Sequence, residues 1–115
     1  MPRYDGTRHG DRVTVTVDGA DLDPALDLKA LSDEGFDWGY EGAAPAQLAL
    51  ALTLHHTGER VRALALYRKI LRTVVATLPR DGWTLSDNDL RVALEEAIEV
   101  DMTLDELLDR VRGKG

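Results

Sequence analysis

From Pro45 to Leu54 the chain carries only two polar side chains, Gln47 and Thr53. A helix that is apolar on every side is buried on every side. This one is far shorter than the roughly 20 residues a bilayer crossing needs. Gly39 and Gly42 allow a sharp turn before it. Pro45 suits a first helical position, where its missing N–H costs nothing, and Thr57-Gly58 supplies a stop with Gly58 as a left-handed cap. The rest of the chain is therefore expected to fold round one core helix, Pro45 to His56.

Arg12 to Val17 alternates strictly and puts Val13, Val15 and Val17 on one face, the clearest strand signal in the sequence. His9-Gly10-Asp11 turns it back on Arg3 to Arg8 as a hairpin. Between Asp21 and Leu31 a short helix and an extended segment both fit. Phe36 to Tyr40 reads as a third short strand. Glu59 to Leu78 reads as an amphipathic helix with Leu64, Tyr67, Ile70, Leu71, Val74, Val75 and Leu78 on one face, ended by Pro79 and Asp81-Gly82. Ser86 to Asp89 resembles a capping box before a buried stripe of Leu90, Ala93, Leu94, Ala97 and Ile98. Thr103 to Glu106 opens another helix, with Leu104, Leu107, Leu108 and Val111 as its apolar side. The expected fold class is α+β: an N-terminal β-hairpin or small antiparallel sheet packed on a bundle of three to four α-helices. One domain, residues 1–115, would hold a β-rich part at 1–42 and a helical part at 43–112.

A net charge of −7 disfavours non-specific binding to nucleic acid or to an anionic membrane, although a local basic patch can override it. With no cysteine, disulfides and thiolate metal sites are excluded. The first residues show no apolar leader, so a cytoplasmic location is expected. Ser32 and Ser86, the only serines, sit in loop or cap positions, and no His-centred nucleophile or H-E-x-x-H pattern is present. The expectation is a protein that is not an enzyme and uses no cofactor and no metal. His55 and His56 point about 100° apart on a helix, so they do not chelate as an i, i+4 pair does.

Four features are candidates for binding. Trp38 and Tyr40 alternate with Asp37 and Gly39, so both rings could leave one face of an extended segment to stack on a base or anchor a partner. Covering the core is the competing reading, favoured for at least one ring. The turn before Pro45 places backbone N–H groups at a helix start, an arrangement that can hold a phosphate. It lacks the lysine and hydroxyl of a Walker motif, and tight packing explains it as well. Arg62, Arg68, Lys69 and Arg72 share the polar face of the long helix and could meet phosphates or an acidic partner, or pair with the protein's own carboxylates. Arg8, beside a turn, is expected near Asp37 or Glu41, either as an ion pair or facing a ligand.

The run Phe36-Asp37-Trp38-Gly39-Tyr40-x-Gly42-x-x-Pro45-Ala46-Gln47-Leu48-Ala49-Leu50-Ala51 resembles the signature of a family of small uncharacterised domains of halophilic archaea, bacteria, and their plasmids and phages. Tyr4-x-Gly6-Thr7-Arg8 and the Tyr67-to-Leu78 segment before a tryptophan also resemble its pattern, which runs to the neighbourhood of Leu85. The resemblance implies a small accessory protein of a mobile-element-rich genome and no particular activity. Family members tend to carry Ser-Gly where this chain has Ala43-Ala44, so a hydroxyl that could cap the helix or hold a ligand is absent. The leading expectation is a non-enzymatic interaction module that binds a protein partner or itself. The alternative is a nucleotide or nucleic-acid binder using the basic helix face and the glycine-rich turn.

Overall fold

Alternating side chains at Arg3–His9 and Arg12–Val17 give two strands, β1 and β2, joined antiparallel with His9 opposite Arg12. The structure is a computed structural model and describes residues 2–98. A short β3 (Ala20–Asp21) pairs with β2, and β4 (Gly82–Ser86) with the other side of β1. The sheet order is β3-β2-β1-β4, antiparallel throughout. With the helices described below, this is the expected α+β fold.

Three stretches differ from expectation. Phe36 to Tyr40 forms no strand; it is irregular chain before the central helix. The strand beside β1 comes instead from Gly82–Ser86, within the stretch assigned to helices. Trp83-Thr84-Leu85 alternates, but the turn signals before it and the helix cap at Ser86 conceal so short a run. Between Asp21 and Leu31 neither alternative holds beyond β3: the chain is irregular, with one turn at residues 26–28.

Helix α1 (Ala43–Thr57) begins two residues before Pro45, with extended Gly42 at its N-cap. Pro45 is tolerated there because the N–H groups of a first turn have no intrahelical acceptor. Leu48, Ala49, Leu50 and Leu52 are fully buried, and from Gln47 to Thr53 α1 is covered on every side as its composition requires. Gly58 closes it, its N–H reaching the Leu54 carbonyl at 2.7 Å. The two polar residues of the run are satisfied internally. Thr53 Oγ1 donates to the Ala49 carbonyl at 2.7 Å. The Gln47 amide ties down the irregular segment: Oε1 accepts from the N–H groups of Leu31 and Ser32, and Nε2 donates to the carbonyls of Pro24 and Lys29.

Helix α2 (Arg60–Thr73) is shorter than the sequence suggests, because a 3-10 turn (Val75–Thr77) replaces its last turn. Its buried stripe is Ala63, Leu66, Tyr67 and Ile70. Leu64, expected on that face, is 40 % exposed, and Val61 is 82 % exposed. At about 100° per residue Leu64 lies roughly 110° from the centre of the true stripe. Apolar residues beyond Thr73, which the 3-10 turn sets on a different phase, had drawn the expected face towards it. Residues 87–98 form a third helix, α3. Its capping box is reciprocal: Asp89 N–H donates to Ser86 Oγ at 3.0 Å, and Ser86 N–H to Asp89 Oδ2 at 2.9 Å. Leu90, Leu94 and Ala97 are buried, with Ala93 and Ile98 packed beside them. The helix expected from Thr103 lies outside the described residues. One core joins Tyr4, Val15 and Trp83 of the sheet to all three helices.

Replacing Gln47 by Leu keeps the volume but strands the two N–H groups and two carbonyls that the buried amide satisfies. The expected loss is about 3 kcal/mol, read from the shift of a urea unfolding curve. An unchanged midpoint would show that the segment 22–32 does not depend on this amide.

Candidate functional site

The candidate residues fall into two clusters, one at the aromatic turn and one on α2. Alternation along β1 places Tyr4, Gly6 and Arg8 on the core face. Gly6 lies opposite Trp83 on β4, and a Cβ there would sit 2.3 Å from the indole, so the ring crosses the strand where no side chain stands. The Trp83 ring meets Trp38 edge-on, with centroids 5.6 Å apart. Trp38 has no exposed surface, and its Nε1 donates to the Pro79 carbonyl at 2.9 Å and the Arg80 carbonyl at 3.2 Å. Gly39 follows at φ +87, and a Cβ there would be 2.6 Å from Arg80 Cδ, so conformation and space both require glycine. Gly42 is different: its extended backbone suits any residue, and it only leaves room for the Tyr40 ring.

Arg8 reaches Asp37, as expected, with Nη2 2.5 Å from Oδ1. Its Nε donates to the Arg80 carbonyl at 2.8 Å, and its guanidinium lies 4.9 Å from the Trp38 ring centroid. Arg80 donates to the Trp38 carbonyl at 2.8 Å, stands 3.7 Å from Asp37 and stacks over the Tyr40 ring. Tyr40 is 43 % exposed and donates its hydroxyl to Asp37 Oδ2 at 3.1 Å. Burial pushes the Asp37 carboxyl up, but the Arg8 guanidinium, the Trp38 N–H and the Tyr40 hydroxyl hold it below its usual range. Tyr40 is pushed up by burial and by that same carboxylate. Trp38 is a core residue with a satisfied N–H, the reading favoured for at least one ring, and only Tyr40 remains at the surface to contact a partner. Arg8 is committed to holding the turn against the sheet.

The basic residues of α2 separate in the same way. Arg62 pairs with Glu59 at 3.2 Å. Lys69 donates to the Ala97 carbonyl at 3.4 Å. Arg68 Nε reaches the hydroxyl of Tyr67 at 3.4 Å, and Lys29 lies 5.7 Å from the centroid of that ring. Hydrogen bonding from Arg68, then from Lys29, holds the Tyr67 phenol below its usual value against the opposing effect of burial. Glu41, Ala46, Tyr67, Arg68, Leu71 and Arg72 line a cavity of about 210 Å3. Tyr67 and Lys29 were not legible as site residues: the first reads as core in a helical pattern, and the second sits in an irregular segment.

His55 and His56 make separate tertiary contacts. His55 Nδ1 is 2.8 Å from the Tyr4 hydroxyl, and His56 Nδ1 is 3.1 Å from Asp87 Oδ1, in a contact whose angles do not make a hydrogen bond. Burial and the carboxylates of Asp87 and Asp18 push the Tyr4 phenol up to about 12. Among the described residues no group of three or more His, Asp or Glu could hold a metal ion.

The sheet and its buried central helix define a small α+β protein whose candidate surfaces are Tyr40 and the outer side of α2. The chain belongs to a family of unknown function, DUF6166, whose family model matches residues 4–96. Both clusters lie within that span. No curated protein and no solved structure matches it. Among the described residues, no helix is long and apolar enough to cross a membrane.

Two expectations follow from the charges. Asp37→Asn should destabilise the protein by about 1–2 kcal/mol at neutral pH. Because the folded Asp37 pKa is depressed, its contribution is present above the unfolded value and lost as pH falls through the folded one. Urea unfolding of both proteins should therefore converge in acid; a difference independent of pH would refute the ionic role. In an ultraviolet phenolate titration Tyr67 should ionise first and Tyr4 last, so that Tyr67→Phe removes the earliest step. Persistence of that step in the variant would contradict the arrangement of Arg68 and Lys29.

Proposed function

We propose that this protein is a non-enzymatic interaction module that docks a protein partner on the outer face of α2. The observation that carries this reading is the pair Val61 and Leu64, 82 % and 40 % exposed, one helical turn apart on that face. Exposed Arg68 and Arg72 continue it, and α2 contains no acidic residue. Exposed apolar side chains gain by burial against a partner, and the arginines beside them are of a type enriched in binding hot spots. The partner face that fits is apolar with acidic residues at one end. We read the protein as a cytoplasmic accessory factor, of the mobile-element kind that the sequence resemblance implies. Nucleic acid is a weaker reading: Arg60 and Arg62 are paired with Asp27 and Glu59, and the net charge is −7.

The test is site-specific photocrosslinking in the native host at position 64, with exposed Thr84 on β4 as control. A partner captured at 64 and not at 84 should, once purified, bind Val61→Asp/Leu64→Asp at least about tenfold more weakly than wild type. Crosslinks to the protein itself would identify the partner as a second copy. Equal capture at both positions, or unchanged affinity in the double variant, would defeat the reading.

A further inference from the structure

The cations of the described chain divide sharply by whether they have a carboxylate partner. Arg3, Arg8, Arg60, Arg62, Arg80 and Arg91 each lie within 4.0 Å of an Asp or Glu oxygen. Lys69 has interactions of its own. In a chain with 21 acidic residues, that pairing is the default expectation. Lys69 aside, the cations of the described residues without such a partner are Arg12, Lys29, Arg68 and Arg72. Arg12 stands on the β1–β2 hairpin. The other three converge on one place, Tyr67 and the cavity beside it.

We infer that this cavity binds phosphate, as inorganic phosphate or a small phosphate monoester. Arg68 and Arg72 in the lining, set against Glu41, leave one positive charge, and Lys29 at the Tyr67 ring beside the cavity adds a second; together they match the charge of about −1.5 to −2 on a phosphate monoester at pH 7. Arg68 and Arg72 supply guanidinium donors suited to phosphate oxygens. Tyr67, 4 % exposed, presents a hydroxyl that already accepts from Arg68 and so can donate its own proton to a bound oxygen. Ala46 and Leu71 form the apolar part of the wall. At about 210 Å3 the cavity is smaller than the ~300 Å3 at which sites for whole drug-sized ligands begin, so it fits a phosphate group and a short carbon stem. Glu41 makes no ion pair across this cavity within 4.0 Å among the described residues, and its charge opposes the ligand.

The test is a titration of the isotope-labelled full chain with inorganic phosphate against chloride at constant ionic strength, followed by amide NMR. Saturable shifts are expected at residues 41, 46, 67, 68, 71 and 72, with the first tyrosine ionisation moving upward as phosphate neutralises the cations. Arg68→Gln/Arg72→Gln should weaken binding at least about tenfold, and Glu41→Gln should tighten it. Arg12→Gln should leave it unchanged. Val61→Asp/Leu64→Asp should retain phosphate binding, which separates this inference from the docking reading. Shifts that scatter without saturating, or equal weakening by Arg12→Gln, would overturn it. So would displacement of phosphate by an equimolar glutamate-rich peptide, which would make the cavity part of a protein-docking face.

Discussion

The burial of α1 from Gln47 to Thr53 is the constraint on which the remaining architecture depends. A helix covered on all sides cannot leave polar atoms unpartnered, because a stranded buried group costs about 1–3 kcal/mol. Thr53 answers within its own helix, whereas Gln47 recruits an irregular segment and thereby gives that segment a shape. At the far end of the helix, His55 and His56 meet β1 and the start of α3. Gln47, His55 and His56 are thus where the surrounding chain meets α1 through polar groups.

The second organising point is the junction of β1, the aromatic turn and the chain after the 3-10 turn. Trp38 is buried there because its N–H finds carbonyls at Pro79 and Arg80, and because Gly39 lets the backbone turn where a side chain would strike Arg80. Arg8 and Arg80 then share Asp37 and cap the assembly at the surface. An exposed ion pair contributes little, but this carboxylate is half-buried and also receives a backbone N–H and a phenol hydroxyl. Residues far apart in the chain converge here for structural reasons that resemble a binding motif in the linear sequence.

Charge then separates structure from candidate function. Most arginines of the described chain are neutralised by their own protein, which removes Arg8 and Arg62 from the set of candidate ligand contacts. The cations round Tyr67 are not neutralised in this way. Two of them, Arg68 and Arg72, occupy the same helix as the exposed Val61 and Leu64, so α2 presents an apolar patch towards its N-terminus and a basic one towards its C-terminus.

Local patterns were sufficient for the elements whose signals are periodic or stereochemical. The alternating valines set β2, the apolar run set α1, Gly58 ended it, and Ser86 with Asp89 started α3, because each depends on neighbours within a few residues. The resemblance carried by Phe36 to Ala51 likewise stands on sequence alone. Only the tertiary structure decided that Gly82–Ser86 is a strand, since a short alternating run becomes one only when an edge such as β1 is free to pair with it. It also decided that Trp38 is core and Tyr40 surface, and that Lys29 joins Arg68 at Tyr67. Burial and ion pairing are properties of the packed neighbours, and in a chain with more acids than bases no linear pattern shows which cations will be left over.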